Sequence, residues 1–366
     1  MTMSTYMVPF LDLSIHNEEQ RSELIAAVDR VFMHGRLVMG PEVDEIERIV
    51  ARDCRRRYAV GVGSGTDALW MAMRVLGLRP GDEVVTTSLS WIATANAIAM
   101  AGAIPVFADI RCDLNIDPES VRRLITDRTR AILVVHYTGR MCDMQALSEI
   151  AEEHNLALVE DAAQAYGASL NGRPAGSFGN LACFSMNPMK VFAACGEAGM
   201  IVTDDTEQYE RLLALRYNGC VNREVCIEPS TNGRIDTLQA AILLTRHRHL
   251  AALLKRRRSN AARYDKLLQG VVDTPPIAPG EHAYYTYTIQ ADRRDELQDF
   301  LEKHGVETKI QHPILMPEQP AYSNRAVNES VNACCLQKRI LCLPIHENLA
   351  VDEIKYVAAR VCEFYP

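Results

Sequence analysis

A lysine that follows a β-rich run and a proline-marked turn, in Ser185-Met186-Asn187-Pro188-Met189-Lys190, is the first candidate for chemistry. Held near a cation or desolvated by a pocket, a lysine amine loses its proton and becomes a nucleophile; on an open surface it is a solvated charge. Asp161 follows the apolar run Leu158-Val159-Glu160, and a carboxylate at the end of a buried strand needs a cationic or hydrogen-bonding partner. A protonated pyridine nitrogen is one such partner, and capping of the next helix is the other reading. Gln164 lies about one helical turn further on and reaches the same ligand.

Two more places carry the residue types a ligand needs. Gly63-Ser64-Gly65-Thr66-Asp67 stands between a strand and a helix, where small residues, a hydroxyl and free backbone N–H groups make a phosphate cradle at a positive helix end. Taken alone, the same residues read better as an ordinary serine or threonine N-cap. Ser90-Trp91 follows another strand, where an indole stacks on a ligand ring or fills the core.

These residues share one setting. Short apolar runs at 58–62, 83–87, 104–107, 131–135 and 156–159 alternate with segments of helical spacing such as 67–75 and 144–154, and 182–186 and 199–203 add two more strands. Such alternation predicts an α/β fold with a mainly parallel sheet flanked by helices, and ligands gather at the carboxyl ends of its strands. Gly40-Pro41-Glu42-Val43 predicts a helix start ahead of the sheet. A long helix is expected from Asp236 towards Leu268, and we set a boundary within it: residues 1–250 form a large cofactor-binding domain and 251–366 a smaller C-terminal α+β domain. That smaller domain is expected to hold strands at 285–290 and 307–311 and helices at 292–304 and 351–364.

Composition narrows the partners. A formal charge of −8 over 366 residues argues against nucleic acid or an anionic membrane surface, and no apolar run approaches the length of a bilayer span. The basic run Arg246-His247-Arg248-His249 with Lys255-Arg256-Arg257-Arg258 reads either as a phosphate patch or, given the interleaved Leu250, Leu253 and Leu254, as the solvated face of a helix. The 11 cysteines are odd in number, scattered and without metal-type spacing, which indicates a reducing compartment. With no basic-then-apolar leader at the N-terminus, a cytoplasmic protein is expected.

Taken in order, these segments resemble the DegT/DnrJ/EryC1/StrS family of sugar aminotransferases, a branch of the fold type I pyridoxal-phosphate enzymes. The resemblance rests on Gly35-Arg36…Gly40-Pro41, Gly65-Thr66-Asp67-Ala68-Leu69, Pro80-Gly81-Asp82-Glu83-Val84, Glu160-Asp161-Ala162-Ala163-Gln164 and Ser185…Pro188…Lys190. It continues through Asn232…Arg234…Asp236…Gln239-Ala240-Ala241, Gln319-Pro320-Ala321-Tyr322 and Leu343-Pro344-Ile345-His346. Two segments depart from the family pattern: the stretch after the lysine, 191–199, has alanine and cysteine where glycines are usual, and a usual His-Tyr-Pro is here Gln311-His312-Pro313.

The resemblance implies pyridoxal 5'-phosphate as cofactor, carried by Lys190 as a Schiff base. It implies that Gly65, Thr66 and Ser185 hold the phosphate, Trp91 stacks on the pyridine ring, Asp161 pairs with the ring nitrogen and Gln164 contacts the cofactor's other side. It also implies a homodimer in which Asn232 reaches the partner's site. The expected reaction moves an amino group from L-glutamate, or L-glutamine, to a keto sugar with ping-pong kinetics. A nucleotide-linked keto hexose is the leading substrate class, with a free keto sugar acid or a keto cyclitol as alternatives. Two other readings remain beside it, a sugar dehydratase using the same cofactor and a cofactor-binding regulator; the presence of Lys190 favours transamination over dehydration.

Overall fold

The computed structural model describes residues 6–323 and 330–365. Two helices, Glu18–His34 (α1) and Pro41–Asp53 (α2), precede the first strand, Tyr58–Val62 (β1). There follow Gly65–Val75 (α3), Glu83–Thr87 (β2), Ala93–Met100 (α4), Ile104–Ala108 (β3), Pro118–Leu124 (α5), Thr129–Val135 (β4), Met144–Glu153 (α6) and Ala157–Asp161 (β5). A short ribbon, Ser169–Leu170 (β6) with Arg173–Pro174 (β7), leads to Leu181–Ser185 (β8), Gly199–Thr203 (β9) and Thr206–Leu215 (α7). A second ribbon, Cys220–Val221 (β10) with Val225–Cys226 (β11), precedes the long helix Thr237–Leu268 (α8). The chain ends through Tyr287–Gln290 (β12), Arg294–Lys303 (α9), Val331–Gln337 (α10), Ile340–Leu343 (β13) and Val351–Phe364 (α11).

Seven strands form one sheet in the order β1-β9-β8-β5-β4-β2-β3. Strands β3, β2, β4, β5 and β8 run parallel to their neighbours, and β9 alone runs antiparallel, between β8 and β1. Helices cover both faces, so successive residues of a strand enter different cores, and the strands read as unbroken apolar runs. Val85, Ile132, Leu158 and Phe184 meet residues of α2, α6 and α8 on one face. Val84, Leu133, Val159 and Cys183 meet α3, α4 and α7 on the other.

Pro41 opens α2 at its first turn, as its fixed φ and missing N–H favour. At the other end of the chain, β12 pairs antiparallel with β13 beneath α8, α9 and α11. The strand expected at 307–311 does not form. Lys309 exchanges two backbone hydrogen bonds with Cys342, at 3.1 and 2.8 Å, and then His312 turns away at φ 58° ahead of Pro313, which has no N–H to continue a ladder.

Helix α8 holds the basic run; Arg248, Lys255 and Arg256 are exposed as the helix-face reading expects, whereas other charged groups of the run are tied to the protein itself. Arg257 is 2% exposed and donates to the Tyr284 carbonyl at 2.9 Å and to the Glu347 carboxylate at 3.1 Å. Arg246 donates to the Ala193 carbonyl, Arg258 to those of Gly167 and His282, while His247 and His249 pair with Asp53 and Glu23. No described helix is long and apolar enough to cross a membrane.

Candidate active site

The carboxyl ends of β5 and β8 and the amino ends of α3 and α4 border one cleft of about 640 Å³. Gly65, Thr66, Trp91, Asp161, Gln164, Ser185 and Lys190 all line it. Asn232 does not; it pairs with Tyr217 across an isolated bridge, and its side-chain oxygen accepts from Arg234 Nε at 2.7 Å.

Asp161 is the last residue of β5 and is 4% exposed. Its Oδ2 accepts a hydrogen bond from the Thr94 hydroxyl at 2.8 Å and its Oδ1 one from the Ala163 N–H at 3.2 Å. Burial raises its pKa, and these two donors and the nearby Lys190 oppose that rise without cancelling it. The carboxylate is therefore buried, oriented and short of positive charge. Lys190 stands in the turn after β8, fixed by its backbone N–H bond to the Asn187 carbonyl at 2.8 Å, with Nζ 4.4 Å from the centre of the Tyr285 ring.

At the start of α3, Ser64 is indeed an N-cap. Its Oγ accepts from the Asp67 N–H at 3.0 Å and donates to the Asp67 carboxylate at 2.9 Å. The cap does not exclude the cradle, because the first N–H groups of a helix have no partner within it. The approach of β8 requires glycine here: a Cβ on Gly65 would lie 2.6 Å from Ser185 Cβ. Gly199 is equally constrained, since a Cβ there would lie 2.3 Å from the Ser64 carbonyl oxygen.

Gln164 uses its side-chain oxygen to accept from the Thr138 N–H at 2.7 Å, at a point where Thr138 has φ 61°. Trp91 is 62% exposed at the rim, so it is no core tryptophan; its ring lies 5.9 Å, centre to centre, from that of His312.

Sequence reasoning did not single out every polar residue of the cleft. Thr94, Tyr285 and Lys309 carry no local signal, whereas His312 lies in the segment that departs from the family pattern. Burial, aided by Lys190 and Lys309, lowers the His312 pKa to about 3, so its imidazole is neutral beside the lysine.

A mainly parallel sheet whose strand ends bring a lysine and a buried aspartate to one cleft defines a fold type I aminotransferase. Residues 18–362 match the model of the DegT/DnrJ/EryC1/StrS aminotransferase family, and the chain belongs to that family. It is similar to the dTDP-3-amino-3,4,6-trideoxy-alpha-D-glucose transaminase of Streptomyces venezuelae, 40% identical over 370 residues covering 98% of each chain. It is also similar to a protein of Geobacillus stearothermophilus described as a pleiotropic regulatory protein, 38% identical over 366 residues and 98% of each chain. Among solved structures, S. venezuelae DesV in complex with a ketimine intermediate matches with a TM-score of 0.94 and 40% identity over 98% of each chain. NtdA of Bacillus subtilis with bound cofactor PMP matches with a TM-score of 0.91 and 29% identity, over 99% of this chain and 86% of that one.

Proposed function

We propose that the protein is a pyridoxal-phosphate-dependent aminotransferase that places an amino group from L-glutamate on a keto sugar, nucleotide-linked by preference. The observation that carries this reading is the meeting of Lys190 and Asp161 in one cleft, beside the start of α3, where Gly65 lets β8 and the Ser185 hydroxyl approach the helix end.

The residues present fit the cofactor. Its phosphate suits the free N–H groups of Gly65 and Thr66 and the Ser185 hydroxyl, which the close approach of β8 to Gly65 brings beside the helix start. Its protonated ring nitrogen suits Asp161, whose burial leaves it short of a cation. Its aldehyde suits the Lys190 amine. Trp91 would cover the ring, and Gln164 would also contact the cofactor.

When bound, pyridoxal phosphate supplies a sink for the electron pair left as the donor's Cα–H bond breaks. Asp161 would hold a proton on the ring nitrogen through its oriented carboxylate, whose two oxygens Thr94 and the Ala163 N–H fix. The Lys190 amine would serve as general base for the donor's Cα proton and then as the acid that returns it. The same amine would serve the keto sugar in the reverse order, so donor and acceptor would take turns with ping-pong kinetics.

We further propose a homodimer in which Asn232 serves the partner's cleft. Its place outside its own cleft supports this, as do the exposed apolar side chains of Ile25, Phe32 and Met33 on α1, at 64, 61 and 81%, which call for a cover. The division into residues 1–250 and 251–366, and a cytoplasmic location, belong to the same reading.

The test is to supply L-glutamate with a panel of nucleotide-linked keto hexoses and measure 2-oxoglutarate. Stoichiometric 2-oxo acid and amino sugar are expected, and Lys190→Ala should abolish both. Dehydration of the sugar without 2-oxo acid, or undiminished turnover in Lys190→Ala, overturns the proposal.

A further inference from the structure

All eleven cysteines are free thiols, and two of them face each other across the β10–β11 ribbon. Cys220 and Cys226 are directly opposed in an antiparallel register. The flanking bond runs from the Ile227 N–H to the Gly219 carbonyl at 2.8 Å, which makes the two cysteines a non-hydrogen-bonded pair. In such pairs the Cα atoms lie about 4.5 Å apart and the side chains approach most closely, inside the range of roughly 4.4 to 6.8 Å that a disulfide spans. Both sulfurs converge on the carbonyl oxygen of Asn218, at 3.7 and 3.5 Å.

The ribbon is built to hold this register. Asn222 and Arg223 turn it with φ of 52° and 61°, and Gly219 has no freedom to change, since a Cβ there would lie 1.6 Å from the Glu228 carbonyl oxygen. Closing a bond between the two sulfurs therefore needs side-chain rotation and no change of backbone register. The remaining cysteines lack such a partner or such access. Cys54, Cys142, Cys183 and Cys342 are buried with their thiol pKa values raised by that burial, and Cys334 and Cys335 are chain neighbours.

We propose that Cys220 and Cys226 are a reversible thiol-oxidation site, closing to a disulfide with a small dialkyl disulfide of the glutathione class as oxidant. The exposed Cys226 attacks the oxidant as its thiolate and releases one reagent thiol. Cys220, deprotonated in turn, displaces the second. The protein loses two hydrogens as one S–S bond forms, and the oxidant is reduced to two thiols. The bond closes within the segment that presents Asn232: the Asn218 N–H donates to the Thr231 carbonyl at 2.9 Å and Tyr217 bridges to Asn232. A disulfide in a reducing compartment is of the transient, sensing kind rather than structural.

The experiment uses the full chain loaded with pyridoxal phosphate, treated with oxidised glutathione, blocked with iodoacetamide and cut with trypsin. Cleavage after Arg216, Arg223 and Arg234 places the two cysteines on separate peptides, 217–223 and 224–234. The expected result is one disulfide-linked species in place of both, lost on treatment with dithiothreitol. Cys220→Ser should instead leave Cys226 as a mixed disulfide with glutathione. Recovery of the two peptides unlinked, alkylated or glutathionylated, under conditions that fully modify the exposed Cys112, overturns the proposal.

Discussion

Thr94 donates its hydroxyl proton to Asp161 Oδ2 across 2.8 Å, and both residues are buried at the cleft's floor. Because that proton is committed, the Ser90 hydroxyl 3.0 Å away must donate to Thr94, and the three residues form a directed chain ending on the carboxylate. The aspartate is thus aimed from β5 by a helix that belongs to a different βα unit.

Replacing Thr94 by valine keeps the shape and removes the donor. A hydrogen bond to a charged group contributes about 1.5 to 3 kcal/mol, so kcat/KM should fall roughly 10- to 100-fold. The cofactor should still attach to Lys190. Steady-state kinetics with saturating cofactor, together with a cofactor titration, checks this; changes under twofold in both would remove Thr94 from the site's machinery.

Without cofactor, the Asp161 carboxyl stays protonated to a pH above its ordinary 3.8, through burial first. Between the unfolded value and that raised value the native chain binds more protons than the unfolded one, so this residue's contribution to stability falls as pH rises through the window. A cationic ring favours the ionised form, so cofactor affinity should rise over the same interval. Denaturation of cofactor-free protein across the acid range, compared with Asp161→Asn, isolates the effect; identical slopes for the two chains would refute it.

Glu160, one residue earlier and on the opposite face, behaves in the opposite sense. Burial pushes its carboxyl up, but the His136 ring at 3.0 Å and the N–H groups of Gly176 and Phe178, at 2.9 and 2.8 Å, outweigh burial and hold it below the usual range. Its contribution is present above the unfolded pKa and lost as pH falls through the folded one. Glu160→Gln should lower stability by about 3 to 5 kcal/mol, as breaking a buried pair does, and should flatten the acid limb of a urea-denaturation series.

Gly65→Ala sets two effects against each other. Alanine gains up to about 1 kcal/mol in helix propensity, but its Cβ would lie 2.6 Å from Ser185 Cβ, an atom held by the backbone of β8. The contact should win, separating α3 from β8 and weakening cofactor binding at least ~10-fold, since one lost charge-assisted hydrogen bond already costs that much. Titration by cofactor absorbance measures it.

Mixed dimers test the assignment of Asn232. Chains carrying Lys190→Ala and Asn232→Ala, each inactive or impaired alone, should recover up to about a quarter of wild-type activity when co-expressed, because half of randomly paired dimers hold one intact composite site. Absence of recovery, with mixed dimers demonstrated by differential tags, would place Asn232 in its own chain's function.

The positions nearest the cleft's floor were legible because each follows an apolar run. Asp161 and Ser185 end strands, Lys190 follows one past a proline, and Gly65-Thr66 opens a helix. Ser64 shows that the two readings of that helix start were never exclusive, since capping uses the serine and leaves the next N–H groups free. Thr94 was not legible: a threonine in an alanine-rich helix has no pattern that points across the sheet to Asp161. Arg257 looked like surface charge because spacing does not reveal the carbonyls of Tyr284 and Ile345, which reach it from remote turns. The strand expected at 307–311 had the right composition but was ended by a left-handed histidine before a proline. The five residues between Cys220 and Cys226 give no hint of a pair until a ribbon folds the two cysteines opposite each other.

Helix α8 spans 32 residues, ~48 Å at the usual rise, and contains neither glycine nor proline. Its early side chains, Leu243 and Leu250, are packed under the sheet, and its late ones, Tyr264 and Leu268, under the β12–β13 pair. Sharp bends in helices arise at proline, glycine pairs or inserted groups, so this element acts as an unjointed beam running through both cores. A wholesale swing of the C-terminal third would have to flex that beam, and the chain from Lys309 to Gln319 at the cleft's mouth is itself pinned by the buried Leu315 and Met316 and by the Met316 N–H bond to the Ser88 carbonyl at 2.9 Å.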